Sequence, residues 1–252
     1  MKTNYAWYEN EAFWKNFEPV LFHKKRIEDA THEVDYIIRL LNLEKNLKIL
    51  DLACGPGRHA LEFARRKHTV TGVDRTLYYL EKARQLAAKE NLQIEFLQSD
   101  MRNFVRDEAY DLVLNLFSSF GYFEHPADDK KVLQNIHKSL KQGGYVLFDI
   151  MGKEILARIF QEKGWQEIDG HLWLEDRQIK DNWGYIENRW ILIKNNKRFE
   201  HHFRLRLYSA DEFTTLLSES GFSKVTVYGS LKGTDYDHKA ERLIISARKT
   251  PS

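Results

Sequence analysis

The order of apolar segments between residues 48 and 150 constrains this chain more than any other feature. The runs "LKILDLA", "HTVTGVD", "LQIEFLQSD", "YDLVLNLF" and "GYVLFDI" are short and continuous. Between them lie "GRHALEFARRK", "TLYYLEKARQLAAKE" and "DDKKVLQNIHKSLKQ", whose apolar residues recur at helical spacing. Such alternation predicts an α/β fold, with a parallel sheet covered by helices on both faces. Thr76 stands where the second helix would be capped, and Gly143-Gly144 where the third would stop.

The flanks have a different texture. Residues 5–18 are rich in aromatics, and from about 20 to 43 Ile27, Val34, Ile37, Ile38 and Leu41 mark an amphipathic helix. After residue 163 the chain is β-rich and aromatic, and "GWQEIDGHLWLEDRQI", "DNWGYIENRWILIKN" and "KRFEHHFRLRLYS" predict three antiparallel strands. "SADEFTTLLSESGF" is a helix with Ser209 as N-cap, Glu212 at the capping-box position and Gly221 at its end. "KVTVYG" and "ERLIISARK" predict two closing strands. No Pro/Gly/Ser linker divides the chain. The organisation expected is an N-terminal helical segment (1–44), a core (45–162 and 209–252), and a late antiparallel β insertion (163–208).

Composition argues against several classes. A net charge of +2 over 252 residues lacks the basic excess of a nucleic-acid-binding domain. The cluster His23-Lys24-Lys25-Arg26 is followed by Glu28 and Asp29, as on a solvated helix face. A single cysteine, Cys54, permits no intrachain disulfide and reads as a small packing residue. The N-terminus has no apolar leader and no run is long enough to span a bilayer, so the expectation is a cytoplasmic protein with no membrane partner. No His/Cys/Asp spacing calls for a metal.

The pattern Gly55-x-Gly57-x-x-Ala60 follows the first strand, and Asp74 ends the second strand nineteen residues after Gly55. Glycines at a strand-to-helix turn let a backbone approach a nucleotide, and two carboxylate oxygens suit a ribose diol. Dinucleotide and other nucleoside binders share these features. Three others separate them. Asp51, just ahead of the glycines, is awkward beside a pyrophosphate but suits an ammonium or sulfonium. Ser99-Asp100-Met101 ends the third strand with an acid and a backbone N–H suited to adenine. The chain closes with one helix and two strands rather than a second mononucleotide half. All three stand against an NAD-dependent dehydrogenase.

With "ILDLACGPGRHA", "VTGVD", "FLQSDM", "YDLVLNLFSSFGYF" and "LKQGGYVLFDI" in this order, the sequence resembles the class I S-adenosylmethionine-dependent methyltransferases, over about residues 45–150 and again over 204–248. The resemblance implies a Rossmann-like seven-stranded sheet whose last strand is antiparallel. It also implies S-adenosyl-L-methionine as cofactor and S-adenosyl-L-homocysteine as product. Cofactor contacts are then expected from Asp51, Ala53, Gly55, Gly57, Asp74, Asp100, Met101 and Asn115, with Arg75 flanking the adenine.

Residues 115–126, "NLFSSFGYFEHP", follow the fourth strand, where ligands of open α/β sheets bind. Phe117 and Tyr122 are candidates to wall a sulfonium, since an aromatic face attracts a cation. The segment lacks the acid or Asn, two prolines and aromatic found in methyltransferases of adenine or glutamine amides, which points away from a nucleobase acceptor. Tyr8 and Trp14 are candidates for an N-terminal lid that excludes water. His125, Tyr122, His202 and Glu124 are candidate general bases. Strand alternation sets His202, Arg204 and Arg206 on one face and His201, Phe203, Leu205 and Leu207 on the other. The expected activity is methyl transfer to an O, N or C centre of a small molecule, by a monomer or homodimer, with the insertion covering the substrate. A tRNA or protein methyltransferase, or a non-catalytic S-adenosylmethionine-binding regulator, remains open as an alternative.

Overall fold

The computed structural model describes residues 6–250, so residues 1–5 and 251–252 lie outside it. After a short turn at Trp7–Glu9 the chain forms α1 (Glu11–Leu21) and α2 (Lys24–Leu40). Asn10 starts α1 by accepting hydrogen bonds from the Ala12 and Phe13 N–H groups on its side chain. Val34 and Ile37 of α2 are buried, whereas Ile27 in its first turn is 40% exposed.

The alternating region gives β1 (Lys48–Leu52), α3 (Arg58–Arg65), β2 (Thr69–Asp74), α4 (Leu77–Lys89), β3 (Ile94–Gln98), β4 (Tyr110–Asn115), α5 (Pro126–Ser139) and β5 (Leu140–Ile150). Ile49, Leu50, Leu112, Val113 and Leu114 are buried on both sides of the sheet, which is why these strands read as unbroken apolar runs. Two local expectations fail. Thr76 makes no side-chain cap; Asp74 Oδ1 instead accepts from the Thr76 N–H at 2.7 Å. The third helix ends at Ser139 and the glycines fall within β5. There Gly143 adopts φ 77° so that its N–H reaches the Lys249 carbonyl at 2.7 Å.

A short helix α6 (Lys153–Ile159) leads to β6 (Lys163–Ile168), β7 (His171–Lys180), β8 (Tyr185–Lys194) and β9 (Lys197–Arg206). These form a separate antiparallel sheet in chain order. It has four strands where the sequence predicts three, because the first apolar segment folds back on itself at Asp169-Gly170. Both residues take positive φ (48° and 75°) between the paired Ile168 and His171. Asn195-Asn196 makes the equivalent turn between β8 and β9.

The chain ends with α7 (Ala210–Glu219), β10 (Ser223–Tyr228) and β11 (Leu243–Arg248), and the Ser209–Glu212 capping box is present. The large sheet has seven strands in the order β10-β11-β5-β4-β1-β2-β3, and β11 runs antiparallel to both neighbours. This is the Rossmann-like arrangement that the sequence leads one to expect. Strand order reverses between β1 and β4, leaving a crevice at their carboxyl ends. One apolar core lies on each face of this sheet. A third core joins the N-terminal segment to the insertion through Trp7, Phe13, Phe17, Trp173, Leu192 and Phe203. Among the described residues, no helix is long and apolar enough to cross a membrane.

Candidate active site

The crevice opens into a cavity of about 380 Å³. Its floor is the turn after β1, where Ala53, Gly55 and Gly57 all adopt left-handed backbone at φ 63°, 55° and 79°. Asp74 holds this turn, since its Oδ2 accepts from the Gly55 N–H at 2.7 Å. The two glycines differ in surroundings. A Cβ on Gly55 would stand 3.1 Å from Phe22 Cζ beside the cavity, whereas one on Gly57 would stand 3.0 Å from Ala83 Cβ inside the protein.

Ala53, Gly55, Asp74, Arg75, Asp100 and Met101 line one end of the cavity. Burial pushes the Asp74 carboxyl above its ordinary value, against the hydrogen bonds from Thr76 and Gly55. Burial acts the same way on Asp100, but there Arg102 outweighs it, with its backbone N–H, Nε and Nη2 at 2.8, 3.0 and 2.8 Å. With Arg75 Nη1 adding a contact at 3.2 Å, the Asp100 carboxyl is held below the usual range. Arg75 also pairs with Glu9 of the N-terminal turn at 2.9 Å.

Three expected residues do not reach the wall. Gly57 packs inside; Asp51 and Asn115 lie behind it, 2% and 0% exposed. Asn115 donates to the Leu52 carbonyl at 3.2 Å and approaches Met101 Sδ at 3.9 Å. Asp51 Oδ2 has no hydrogen-bond partner. Burial pushes this carboxyl up to about 7, against Arg58 and the Ala60 N–H and helped by Asp74. Cys54 is buried, and burial, then Asp51 and Asp74, raise its thiol well above the ordinary value. It stays protonated and packs.

Aromatic rings complete the wall. Tyr8, Trp14, Phe117 and Tyr122 line it, joined by Trp7, which sequence reasoning missed. The Trp7 ring lies tilted against Tyr122 and Phe203, with centres 4.8 and 4.6 Å away, and its Nε1 donates to the Arg204 carbonyl at 3.2 Å. Trp14 Nε1 donates to the Tyr8 carbonyl at 2.7 Å. Phe117 and Ser118 take positive φ (61° and 59°), a costly backbone that turns the loop after β4 across the crevice. Arg26 and Arg58 lie 4.4 and 5.3 Å from the Phe117 ring centre. Burial, then Arg58, bring the Arg26 guanidinium down to about 10. Arg242 donates to Asp149 at 2.6 Å and to Ser118 at 2.8 Å. Phe22, Arg26 and Arg242 reach the wall from segments with no sequence signal for it.

His125, Glu124 and His202 lie off the wall. His125 is exposed at the start of α5, and His202 bonds Glu200 at 3.1 Å on the far face of the small sheet. Its neighbours on that face are engaged too: Arg204 pairs with Asp181, and Arg206 with buried Asp129 at 3.0 Å.

Left-handed backbone at three positions of one turn, two carboxylates on one wall and an unpartnered carboxyl oxygen of Asp51 behind it fit a positively charged nucleoside. Residues 49–144 match the family described as Methyltransferase domain. Fold and this match support a class I S-adenosylmethionine-dependent methyltransferase. It is 26% identical over 216 residues to YqeM of Bacillus subtilis (strain 168), which carries the name of a methyltransferase. That alignment covers 83% of this chain and 87% of the relative. It is 23% identical to a glycine/sarcosine N-methyltransferase of Aphanothece halophytica, over 87% of this chain and 83% of that one. Its fold is similar to a crystal structure of an S-adenosylmethionine-dependent methyltransferase from Clostridium acetobutylicum ATCC 824. The TM-score is 0.80 at 18% identity, covering 95% and 98% of the two chains.

Proposed function

We propose that the chain methylates a small molecule on an oxygen, nitrogen or carbon centre. In this reading Asp74 accepts hydrogen bonds from the ribose hydroxyls of the cofactor, and Asp100 with the Met101 N–H holds the adenine. The turn at Ala53–Gly55 takes the methionyl part, with Asp51 behind it. The observation that carries the small acceptor is the roof. Tyr8 and Trp14 from the N-terminus, and Trp173, Trp190 and Phe203 from the insertion, close over the aromatic end. The whole cavity, its acidic end included, is about 380 Å³, at the low end for small-ligand pockets, so a bound cofactor leaves room only for a small acceptor. A tRNA loop or protein segment would have to displace that roof.

Bound S-adenosylmethionine supplies an electrophilic methyl group on a sulfonium, whose charge is relieved as the acceptor attacks. The chain supplies alignment and exclusion of water, which such an in-line displacement chiefly requires. The face of Tyr122 stabilises a nearby cation, whereas Phe117 already carries Arg26 and Arg58 over its ring. Tyr122 is also the candidate base that stands on the wall. Burial raises its phenol above the ordinary value, so it stays protonated and orients an acceptor as a donor. Among the described residues no histidine lines the cavity. This favours a neutral amine, which sheds its proton after attack. The glycine/sarcosine enzyme similar to this chain is likewise named for N-methylation.

Calorimetry with S-adenosylmethionine, S-adenosylhomocysteine and NAD, followed by transfer of labelled methyl to a panel of small amines, alcohols, tRNA and protein, tests this reading. Binding of both sulfur ligands, silence with NAD and label in a small amine are expected. Label found only in tRNA or protein overturns it.

A further inference from the structure

We infer that β6 is a self-recognition edge, through which two copies of this chain join their small sheets into one continuous sheet across a two-fold axis. β6 is the outer strand of its sheet. The Arg177 N–H donates to the Glu162 carbonyl at 2.7 Å, and the register continues Lys163↔Asp176, Gly164↔Glu175. Antiparallel pairs alternate between bonded and non-bonded. Residues 164, 166 and 168 therefore turn their N–H and C=O groups to β7, while Lys163, Trp165 and Glu167 turn theirs outward. All three outward residues are exposed, and Trp165 is 69% exposed.

An unpaired, exposed edge is a template for another strand. The sequence of β6, KGWQEI, identifies which strand fits. When β6 meets a second β6 antiparallel, the register that faces outward groups with outward groups and centres on Trp165 sets Trp165 against Trp165. The same register sets Lys163 against Glu167 of the second copy, on both sides of the axis. Every bonded pair exchanges both of its backbone hydrogen bonds, and each lysine meets a carboxylate. Backbone parity and charge select the same register independently.

The side chains agree. Lys163, Trp165 and Glu167 share a face with their partners Asp176, Leu174 and Leu172, and beyond them with Arg189, Ile191 and Ile193 of β8. Ile193 is 38% exposed. The opposite face carries Trp173, Leu192 and Phe203 toward the cavity. Joining two copies edge to edge extends this mixed apolar and charged outer face and leaves the cavity face untouched.

Sedimentation velocity of the full chain over a concentration series tests this. The wild type is expected as a dimer, twice the 30.0 kDa of the chain. Lys163→Glu sets like charges together twice and is expected to weaken the dimer roughly tenfold. Lys163→Glu/Glu167→Lys restores complementarity and is expected to recover it. Trp165→Pro, which removes an outward N–H on an edge strand that tolerates proline, is expected to leave a monomer. Unchanged binding of S-adenosylhomocysteine shows that each variant is folded. A monomeric wild type, a dimer indifferent to Lys163→Glu, or failure of the double exchange to rescue overturns the proposal.

Discussion

Asp74 Oδ2 accepts a hydrogen bond from the Gly55 N–H at 2.7 Å, so the end of β2 fixes the backbone of the turn after β1. Its other oxygen accepts from the Thr76 N–H at 2.7 Å and starts α4. One carboxylate thus organises the floor of the cavity while lining it. Asp74→Ala is expected to abolish measurable binding of S-adenosylhomocysteine in calorimetry. It should also cost about 1–3 kcal/mol of stability in chemical denaturation, because two N–H groups lose their acceptor.

Gly55→Ala and Gly57→Ala are expected to separate binding from stability. Both force a left-handed backbone on alanine, at about 1–2 kcal/mol. At Gly57 the added methyl also meets Ala83 Cβ at 3.0 Å, on a helix that cannot yield by rotating a side chain. At Gly55 it meets the far edge of the Phe22 ring, which can turn. Gly57→Ala should therefore show the larger fall in melting temperature, and Gly55→Ala the larger loss of cofactor affinity relative to its fall in stability.

The buried carboxyl of Asp51 predicts a pH signature. Burial raises it from 3.8 to about 7, so between those values the folded chain binds more protons than the unfolded one. Its contribution to stability is present below the lower value and is lost as pH rises through about 7. Asp51→Asn removes that titration, and at pH above it should raise the melting temperature by at least roughly 2–4 °C. A cationic cofactor favours the ionised acid. Wild-type affinity for S-adenosylmethionine should thus rise with pH relative to Asp51→Asn, measured by calorimetry across this window.

Two of the contacts that hold the N-terminal roof differ in magnitude. The Glu9–Arg75 pair is 41% and 40% exposed, so Glu9→Gln should change stability by about 1 kcal/mol or less. Trp7 is 5% exposed and packs on Tyr122 and Phe203, so Trp7→Ala should cost about 3–5 kcal/mol. Limited proteolysis is expected to cut the N-terminal segment of Trp7→Ala well before that of Glu9→Gln.

The sequence by itself determined the large sheet and the turn at its crevice. Their signals are local: strand and helix periods over a few residues, glycines at a strand end, and an acid at the end of the next strand. The Ser209–Glu212 capping box is legible for the same reason. Where two local signals ran together, as at Asp169-Gly170, a hairpin was read as one strand. The tertiary structure alone decided the walls of the cavity. Trp7 reaches Arg204 across 197 residues, and Arg242 reaches Ser118 across 124. Asp51 and Asn115 sit behind the wall, and His125 and His202 off it, for reasons that no neighbouring residue records. Burial and approach between distant segments depend on how layers stack. Period and turn chemistry do not.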